Sequence, residues 1–571
     1  MSDYLHGAYG VVNAVGTRVT DESLGAIVYI GTAPVHTVEG GGANVNKPVL
    51  VRNMAEARKT LGYSEDWAGY TLCEPMHVHF ENKGVGPLVF INVLDPEKHI
   101  AKTSKSVSKT PSSGSFTIAD ADDIDLSSIA ITVTNGGTPK TEGTDYTIEF
   151  ASHTITVTEK SEGSLGTAAL TVTYKEKTKT TATKTPVKGV ITITSAESII
   201  LDSVSIETTD STPVAKTKGT DYSISYSADK KEITIRELTN GALGASPLTV
   251  TYYTVDASSV TSADVVGSAD GLGLNKGVYA IRDVYQTTGF IPSFLAAPGF
   301  SCVPSVHNAM YDNSVKINGH WDAYMFVDLP ITDNESAVTL DNVFAFKTTN
   351  GYTRENETVF FPLAEGVDDK IYHLSVLAAG NFQELLTEHD GIPFWSASNT
   401  ECAVIKNLYL GAEYTDRIYD DSIINEKLNK NGIASAAFAG GRWAIWGAHS
   451  ADYNQEDASA VNMAETNRMM LYYISNDFQE RRTRDVDQPL TPNDIKSIVS
   501  EEQARLDALI NIGALTYASV SLDAESNALS DIISGDWSFS FNVTTTPLAK
   551  SLTAVVNWTE DGFVTYFENA S

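Results

Sequence analysis

His77 and His79 stand two residues apart, and on an extended strand that spacing turns both imidazoles to one face, one way to begin a metal site. No third ligand lies near them in sequence, so the simpler reading is a pair of half-buried strand histidines. Cys73, Cys302 and Cys402 are too few and too far apart for a disulfide framework, and read as free thiols packed as small apolar side chains. Gly40, Gly41 and Gly42, and the spaced Gly271, Gly273 and Gly277, match neither the dinucleotide nor the phosphate-loop pattern and read as turns. His320 beside Trp321 and His449 near Trp446 read as packed imidazoles. Arg481, Arg482 and Arg484 close a helical stretch, where they either complement the helix dipole or pair with an acidic neighbouring copy. Asn356, Asn542 and Asn557 head glycosylation sequons, but no secretory route is visible. No catalytic, cofactor-binding or metal-binding constellation emerges. The expectation is a protein that is not an enzyme and uses no cofactor.

The elements around these residues belong to a long chain. At 571 residues it accommodates several cores, with hydrophobic and charged contents of 42% and 20% that suit globular protein. No apolar run approaches the roughly 18 residues of a membrane span. Residues 1–6 lack the basic start and apolar stretch of a signal peptide, and the three thiols suit a reducing cytoplasm. The net charge of −32 repels phosphate backbones, so direct nucleic-acid binding is disfavoured. Solubility at high copy number is the plainer reading of that charge.

Residues 104–256 differ abruptly from the rest. They are rich in Thr and Ser and contain no Trp, Met or Cys, and they carry a net charge of −5 against −27 for the flanks. They also repeat. Residues 143–148, with Asp145 and Tyr146, recur at 219–224 with Asp221 and Tyr222, and residues 170–174 recur at 248–252. The offset grows from 76 to 78 across Lys230 and Lys231, where a two-residue hairpin extension fits. Alternating apolar residues (Ile129, Ile131, Val133; Ile155, Val157) predict short antiparallel strands, hence two tandem sandwiches of immunoglobulin-like shape. Residues 103–110 and 175–188, Lys- and Thr-rich with few apolar side chains, read as linkers.

The flanks carry helix and strand signals together. Asn53 caps a helix with Glu56 in its first turn and Gly62 at its stop. Thr491, Pro492 and Asp494 open another, with Ile495, Ile498, Val499, Leu506, Leu509 and Ile510 on one face and Gly513 at its end. A longer helix is expected over about 458–484, and strands over 26–30 and 88–93. The repeats thus interrupt an α/β or α+β fold.

The C-terminus is the most regularly patterned region. Trp537, Phe539, Phe541 and Val543 alternate with polar residues, and Leu552, Ala554, Val556 and Trp558 do so again. Residues 560–562 signal a tight turn, and Phe563, Val564, Thr565, Tyr566 and Phe567 read as a last strand. Near the other end Ala8, Tyr9, Gly10, Val11, Val12 and Asn13 form a second short extended segment. A terminal strand ordinarily closes its own sheet. Two of them at opposite ends also suit reciprocal strand addition between copies, which propagates into rings or helical polymers.

Several segments, in order, resemble the sheath subunit of contractile bacteriophage tails and of related phage-tail-like bacteriocins. They are residues 25–34, 291–300, 322–328, 373–380 and 391–399, then 428–433 with Asn429 and Gly432, and 442–447 with Trp446 and Gly447. The resemblance implies a multidomain α/β (α+β) sheath core carrying the two all-β immunoglobulin-like sandwiches as inserted decorations. It places an N-terminal arm at 1–22 and a middle domain at 23–103 and 257–370. The inserts fall at 104–188 and 189–256, and a C-terminal core with a terminal arm at 371–571. It implies homo-oligomeric six-fold rings stacked around a tail tube, with baseplate and tail terminator proteins as further partners and no membrane insertion. The expected location is the virion tail, assembled in the bacterial host cytoplasm. Two rival readings remain: an adhesin or surface-layer protein built on tandem β-sandwiches, which needs export, and a carbohydrate-active enzyme, which needs paired carboxylates in a cleft.

Overall fold

A computed structural model of the chain describes residues 25–563 apart from 135–136, 334–335, 415–417, 455–458, 460 and 524–526. Residues 26–30 and 88–93 are nearly uninterrupted apolar runs, the pattern of strands buried on both faces of a parallel sheet. They become Ala26–Gly31 and Leu88–Asn92 in an eight-stranded sheet. Its order is Pro48–Val51, Leu88–Asn92, Ala26–Gly31, Pro292–Ala296, Tyr324–Asp328, Glu357–Phe360, Ile433–Ala439, Arg442–Trp446. The six inner strands are parallel and both edge strands antiparallel.

This sheet takes strands from all three segments expected to form the middle and C-terminal domains, and one hydrophobic core runs from Ala26 to Met469. The boundary expected at 370/371 therefore does not separate two cores. His373 instead ties the segments together: its Nδ1–H and its backbone N–H donate to the two Glu74 carboxylate oxygens at 2.6 Å each. Burial by itself would lower the imidazole pKa, but the Glu74 charge and hydrogen bond, with Asp328 behind them, raise it to about 9.

Asn53 caps helix Met54–Thr60 as expected, its side chain accepting from the Glu56 N–H at 3.0 Å. Thr491 and Asp494 close a reciprocal capping box on helix Pro492–Asn511. The helix expected over 458–484 is Glu465–Arg482. Its start is set by a tertiary contact, the Glu465 N–H donating to the Ala448 carbonyl at 2.7 Å. His77 and His79 are not on a strand. They lie in a π-helical turn, His77–Lys83, so they diverge: His77 pairs with Glu81 at 2.8 Å, while buried His79 meets the Tyr29 hydroxyl at 2.8 Å. The alternation of their neighbours mimicked a strand because a short apolar run does not discriminate the two.

The repeats form two β-units. The first pairs the four-stranded sheet Lys102–Lys109, Leu170–Lys177, Ile124–Val133, Pro139–Lys140 with the three-stranded sheet Ser115–Ile118, Thr154–Glu159, Tyr146–Ala151. Residues of both sheets share one core, among them Phe116, Ile131, Tyr146, Val157 and Val172. The second unit repeats this with Lys179–Lys184, Leu248–Tyr253, Ser205–Thr208, Ala215–Lys216 and Val190–Thr194, Glu232–Glu237, Tyr222–Ser227. Numbered along the chain, the order 1-7-3-4 facing 2-6-5 is not the immunoglobulin pairing of 1-2-5-4 with 3-6-7. The extra pair of residues sits where the offset put it: residues 152–153 turn the first hairpin and 228–231 the second.

Two expected linkers are strands. Residues 103–110 fall largely in Lys102–Lys109, and 175–188 hold the end of Leu170–Lys177 and all of Lys179–Lys184. Lys102–Lys109 and Lys179–Lys184 are edge strands, apolar on one side at most, and their lysines guard an exposed edge. The units consequently meet at Thr178, whose N–H donates to the Ala101 carbonyl at 2.7 Å, and not at 188. The second unit docks on the rest of the chain: the Gly40 N–H donates to Asp202 at 2.8 Å, and Arg58 pairs with Asp229 at 3.0 Å.

Candidate assembly surface

Helices Glu465–Arg482 and Pro492–Asn511 form the platform of the C-terminal region. Met470 and Ile474 of the first meet Leu506 and Leu509 of the second, and Leu515, Ala518 and Val520 complete the cluster. Glu502 is buried within this platform and receives Arg481 on both oxygens, at 2.7 and 2.6 Å, and Arg482 Nε at 2.8 Å. Burial works to raise the Glu502 pKa, and the two guanidiniums outweigh it and hold the carboxyl below its ordinary range. Arg481 and Arg482 are thus braces between two helices of one chain, beyond either role open to them in the sequence.

On the platform lies a two-stranded antiparallel sheet, Leu515–Leu522 with Phe539–Thr545. Its strands, 8 and 7 residues long, carry no charged side chain. Phe478 of helix Glu465–Arg482 packs edge-on against Phe541, with ring centroids 5.2 Å apart. The two edges of the sheet differ. Along Leu515–Leu522, the Gln503 side chain donates to the Ala518 carbonyl at 3.2 Å and accepts from the Val520 N–H at 2.9 Å. Along Phe539–Thr545 no third strand is paired among the described residues. The edges of the central sheet are closed by contrast. Pro48 begins one edge strand, and residues 399–402 bond along Arg442–Trp446 at the other, Cys402 N–H to the Trp443 carbonyl at 2.9 Å.

Beyond Thr546 the chain leaves the platform. The alternating run 552–558 forms no strand within its own chain: Leu552, Val556 and Trp558 are 92%, 89% and 81% exposed. Phe563, expected to begin the last strand, closes a helical turn, its N–H donating to the Glu560 carbonyl at 2.9 Å. Among the described residues no strand pairs with it, and its hydrogen bond is a local one. Val564, Thr565, Tyr566 and Phe567 lie outside the described residues, as do Ala8, Tyr9, Gly10, Val11, Val12 and Asn13. Both strand-exchange segments, but for Phe563, thus lie outside what the structure describes.

The chemical candidates resolve into packing. Cys73 and Cys402 are buried, Cys302 is partly buried, and all three are free thiols. His449 stacks on Tyr453 and not on Trp446, with centroids 3.7 Å apart and planes 3° apart. Among the described residues, no group of three or more His, Cys, Asp or Glu is placed to hold a metal ion, and no helix is long and apolar enough to cross a membrane. Sequence reasoning missed Gln503 and Lys550. Gln503 is a polar residue on a helix that meets a strand edge, and Lys550, outside helix and strand, donates to the Tyr453 hydroxyl at 2.9 Å; residue type alone signals neither contact.

No protein-family profile matches the chain. A curated relative does: the tail sheath protein of Burkholderia phage BcepMu is 22% identical over 584 residues, spanning 99% of this chain and 98% of the relative. Among solved structures, the sheath tail protein of Listeria innocua aligns at 12% identity with TM-score 0.43, covering 92% of this chain and 96% of the other. The sheath tail protein of Desulfitobacterium hafniense aligns at 11% identity with TM-score 0.44, covering 90% and 94%. The resemblance to tail sheath proteins read from the ordered motifs is borne out along the whole chain.

Proposed function

We propose, from the premise that this chain is similar along 99% of its length to a tail sheath protein, that it is the structural subunit of a contractile tail sheath. Copies polymerise as stacked six-fold rings around a tail tube, and contraction drives the tube through the host envelope. Baseplate and terminator proteins bound the cylinder, which belongs to a virion tail assembled in the host cytoplasm. The two β-units decorate it. Strands from the chain ends (8–13 and 563–567) join neighbouring copies.

The observation that carries this reading is an uncharged two-stranded sheet whose second edge is unpaired among the described residues, followed by an apolar tail that those residues leave exposed. Burying Leu552, Val556 and Trp558 against a neighbour is worth on the order of 2 kcal/mol per side chain, a strong drive to associate. The adhesin reading is not favoured by the relatives found.

Electron microscopy of the purified full chain tests the proposal: striated or contracted cylinders are expected, and monomers alone at high concentration reject it. Deleting residues 562–571 tests the C-terminal strand, which has no part in assembly if polymerisation survives that deletion unchanged.

A further inference from the structure

From Leu170 to Lys184 the chain is one extended run shared by both β-units. Leu170–Lys177 is an inner strand of the first unit, between Lys102–Lys109 and Ile124–Val133, and Lys179–Lys184 is an edge strand of the second. Only Thr178 separates them. Successive side chains of such a run point to opposite faces. Leu170 and Val172 are buried in the first core with Tyr174 packed against it, and Ala182 is the register partner of Val250 in the second. The other face therefore carries Thr171, Thr173, Lys175, Lys177, Lys179, Thr181 and Thr183. Thr171 and Lys177 are half-buried and the rest are exposed. Three lysines stand in the middle with two threonines at each end, over roughly 40 Å. Neighbouring strands widen both ends with hydroxyls: Ser108 and Thr132 flank Thr171, and Thr251 and then Ser205 follow Thr181.

Edge protection accounts for lysines on an edge strand, but Lys175 and Lys177 lie on an inner one. Lys177 is also the register partner of Lys102, and like charges directly opposite each other destabilise a sheet. Asp125 relieves Lys102 at 2.8 Å. Lys175, Lys177 and Lys179 form no ion pair among the described residues, in a chain whose net charge is −32. The fold thus holds three uncompensated cations in a row against its own stability.

We infer that this strip binds an anionic polysaccharide, its lysines pairing with the acidic groups and its flanking hydroxyls with those of the sugars. The composition selects the partner. A protein contact is anchored at its centre by aromatic and apolar side chains, and single-stranded nucleic acid by bases stacked on aromatic rings. The seven side chains of the strip are Thr and Lys alone. Thr and Ser hydroxyls both donate and accept, as sugar hydroxyls do, and the lysine centre calls for negative charge.

The test uses the full chain and three probes on one backbone: carboxymethyl dextran, dextran phosphate and neutral dextran. The wild type is expected to bind at least one charged dextran, to bind single-stranded DNA several-fold more weakly, and to leave neutral dextran unbound. Lys175→Gln/Lys177→Gln/Lys179→Gln should weaken binding about tenfold. Lys105→Gln/Lys109→Gln/Lys184→Gln removes the same charge from the opposite face and should leave binding within about twofold. Thr173→Val/Thr181→Val keeps charge and shape and should weaken binding about threefold. Because glutamine relieves like-charge repulsion, the strip variant should melt no lower than the wild type, which separates lost binding from lost folding. Failure of the wild type to bind either charged dextran overturns the inference. So do equal losses in the two lysine variants, wild-type binding by the strip variant, or DNA bound as tightly as dextran. Loss of self-assembly in the strip variant also overturns it, assigning the strip to a second copy of the chain.

Discussion

The Lys550 ammonium donates to the Tyr453 hydroxyl at 2.9 Å and lies 5.2 Å from the centre of the same ring. That ring is held in turn by the stacked His449, whose Nδ1–H donates to the Met463 carbonyl at 2.7 Å. A residue of the departing tail is thereby fastened to the loop that follows the central sheet. What the tail can reach depends on where it leaves.

Replacing Lys550 by Met removes the charge and keeps the length of the stem. Amides of residues 546–552 should exchange several-fold faster in hydrogen-exchange mass spectrometry. Global stability should change by less than about 1 kcal/mol, the scale of an exposed cation–π contact. Lys550→Arg should restore slow exchange.

Glu502→Ala leaves two guanidiniums facing an empty site. Removing one partner of a buried ion pair costs about 3–5 kcal/mol, and the lower end applies because Arg481 is one-third exposed. Urea denaturation should show the loss, and it should be accompanied by separation of the two platform helices. The Glu502 carboxyl is held below its ordinary range, so its contribution is present above the unfolded carboxylate pKa and fades as pH falls through the depressed value.

His373 acts in the opposite direction. Its folded value of about 9 lies above the ordinary 6.5, so the imidazolium stabilises the fold fully below pH 6.5. That contribution is lost as pH rises toward 9 and amounts to about 3 kcal/mol over the interval. Thermal melts of the wild type should drop across this window. In His373→Gln the drop should flatten.

Lys102 and Lys177 are register partners at the mouth of the first β-unit, and the Thr178 N–H already bonds the Ala101 carbonyl at 2.7 Å. Deleting residues 102–177 and joining 101 to 178 should give a folded protein that retains the second unit. Calorimetry should show the transition of the first unit removed and the others unmoved. Loss of the second unit's transition as well would show that the bond from the Tyr253 hydroxyl to Asp123 makes the units one cooperative block.

Much of the fold was legible because local physics decides it. Asn53 and Thr491 cap where capping chemistry places them, and the 76-to-78 shift located a lengthened hairpin turn. The edge strands Lys102–Lys109 and Lys179–Lys184 were misread as linkers because an exposed edge needs lysines and few apolar residues, which is also how a linker looks. His77 and His79 misled because two-residue alternation over four positions does not separate a strand from a tight helix. The domain boundary at 370/371 disappeared because parallel strands pair with partners distant in sequence, and nothing in residues 433–439 records which sheet they will join.

The sequence by itself determined the inserted repeats, the principal helices and strands, the absence of charge in the C-terminal strands, and the ordered motifs that relate the chain to tail sheath proteins. Those properties follow from residue type and short-range spacing. Only the tertiary structure decided which edge of the C-terminal sheet is open, that Arg481 and Arg482 are spent on Glu502, and that Lys550 is fastened to Tyr453. Each of these depends on residues at least 15 positions apart arriving at one place, which close packing of the whole chain settles and local sequence does not.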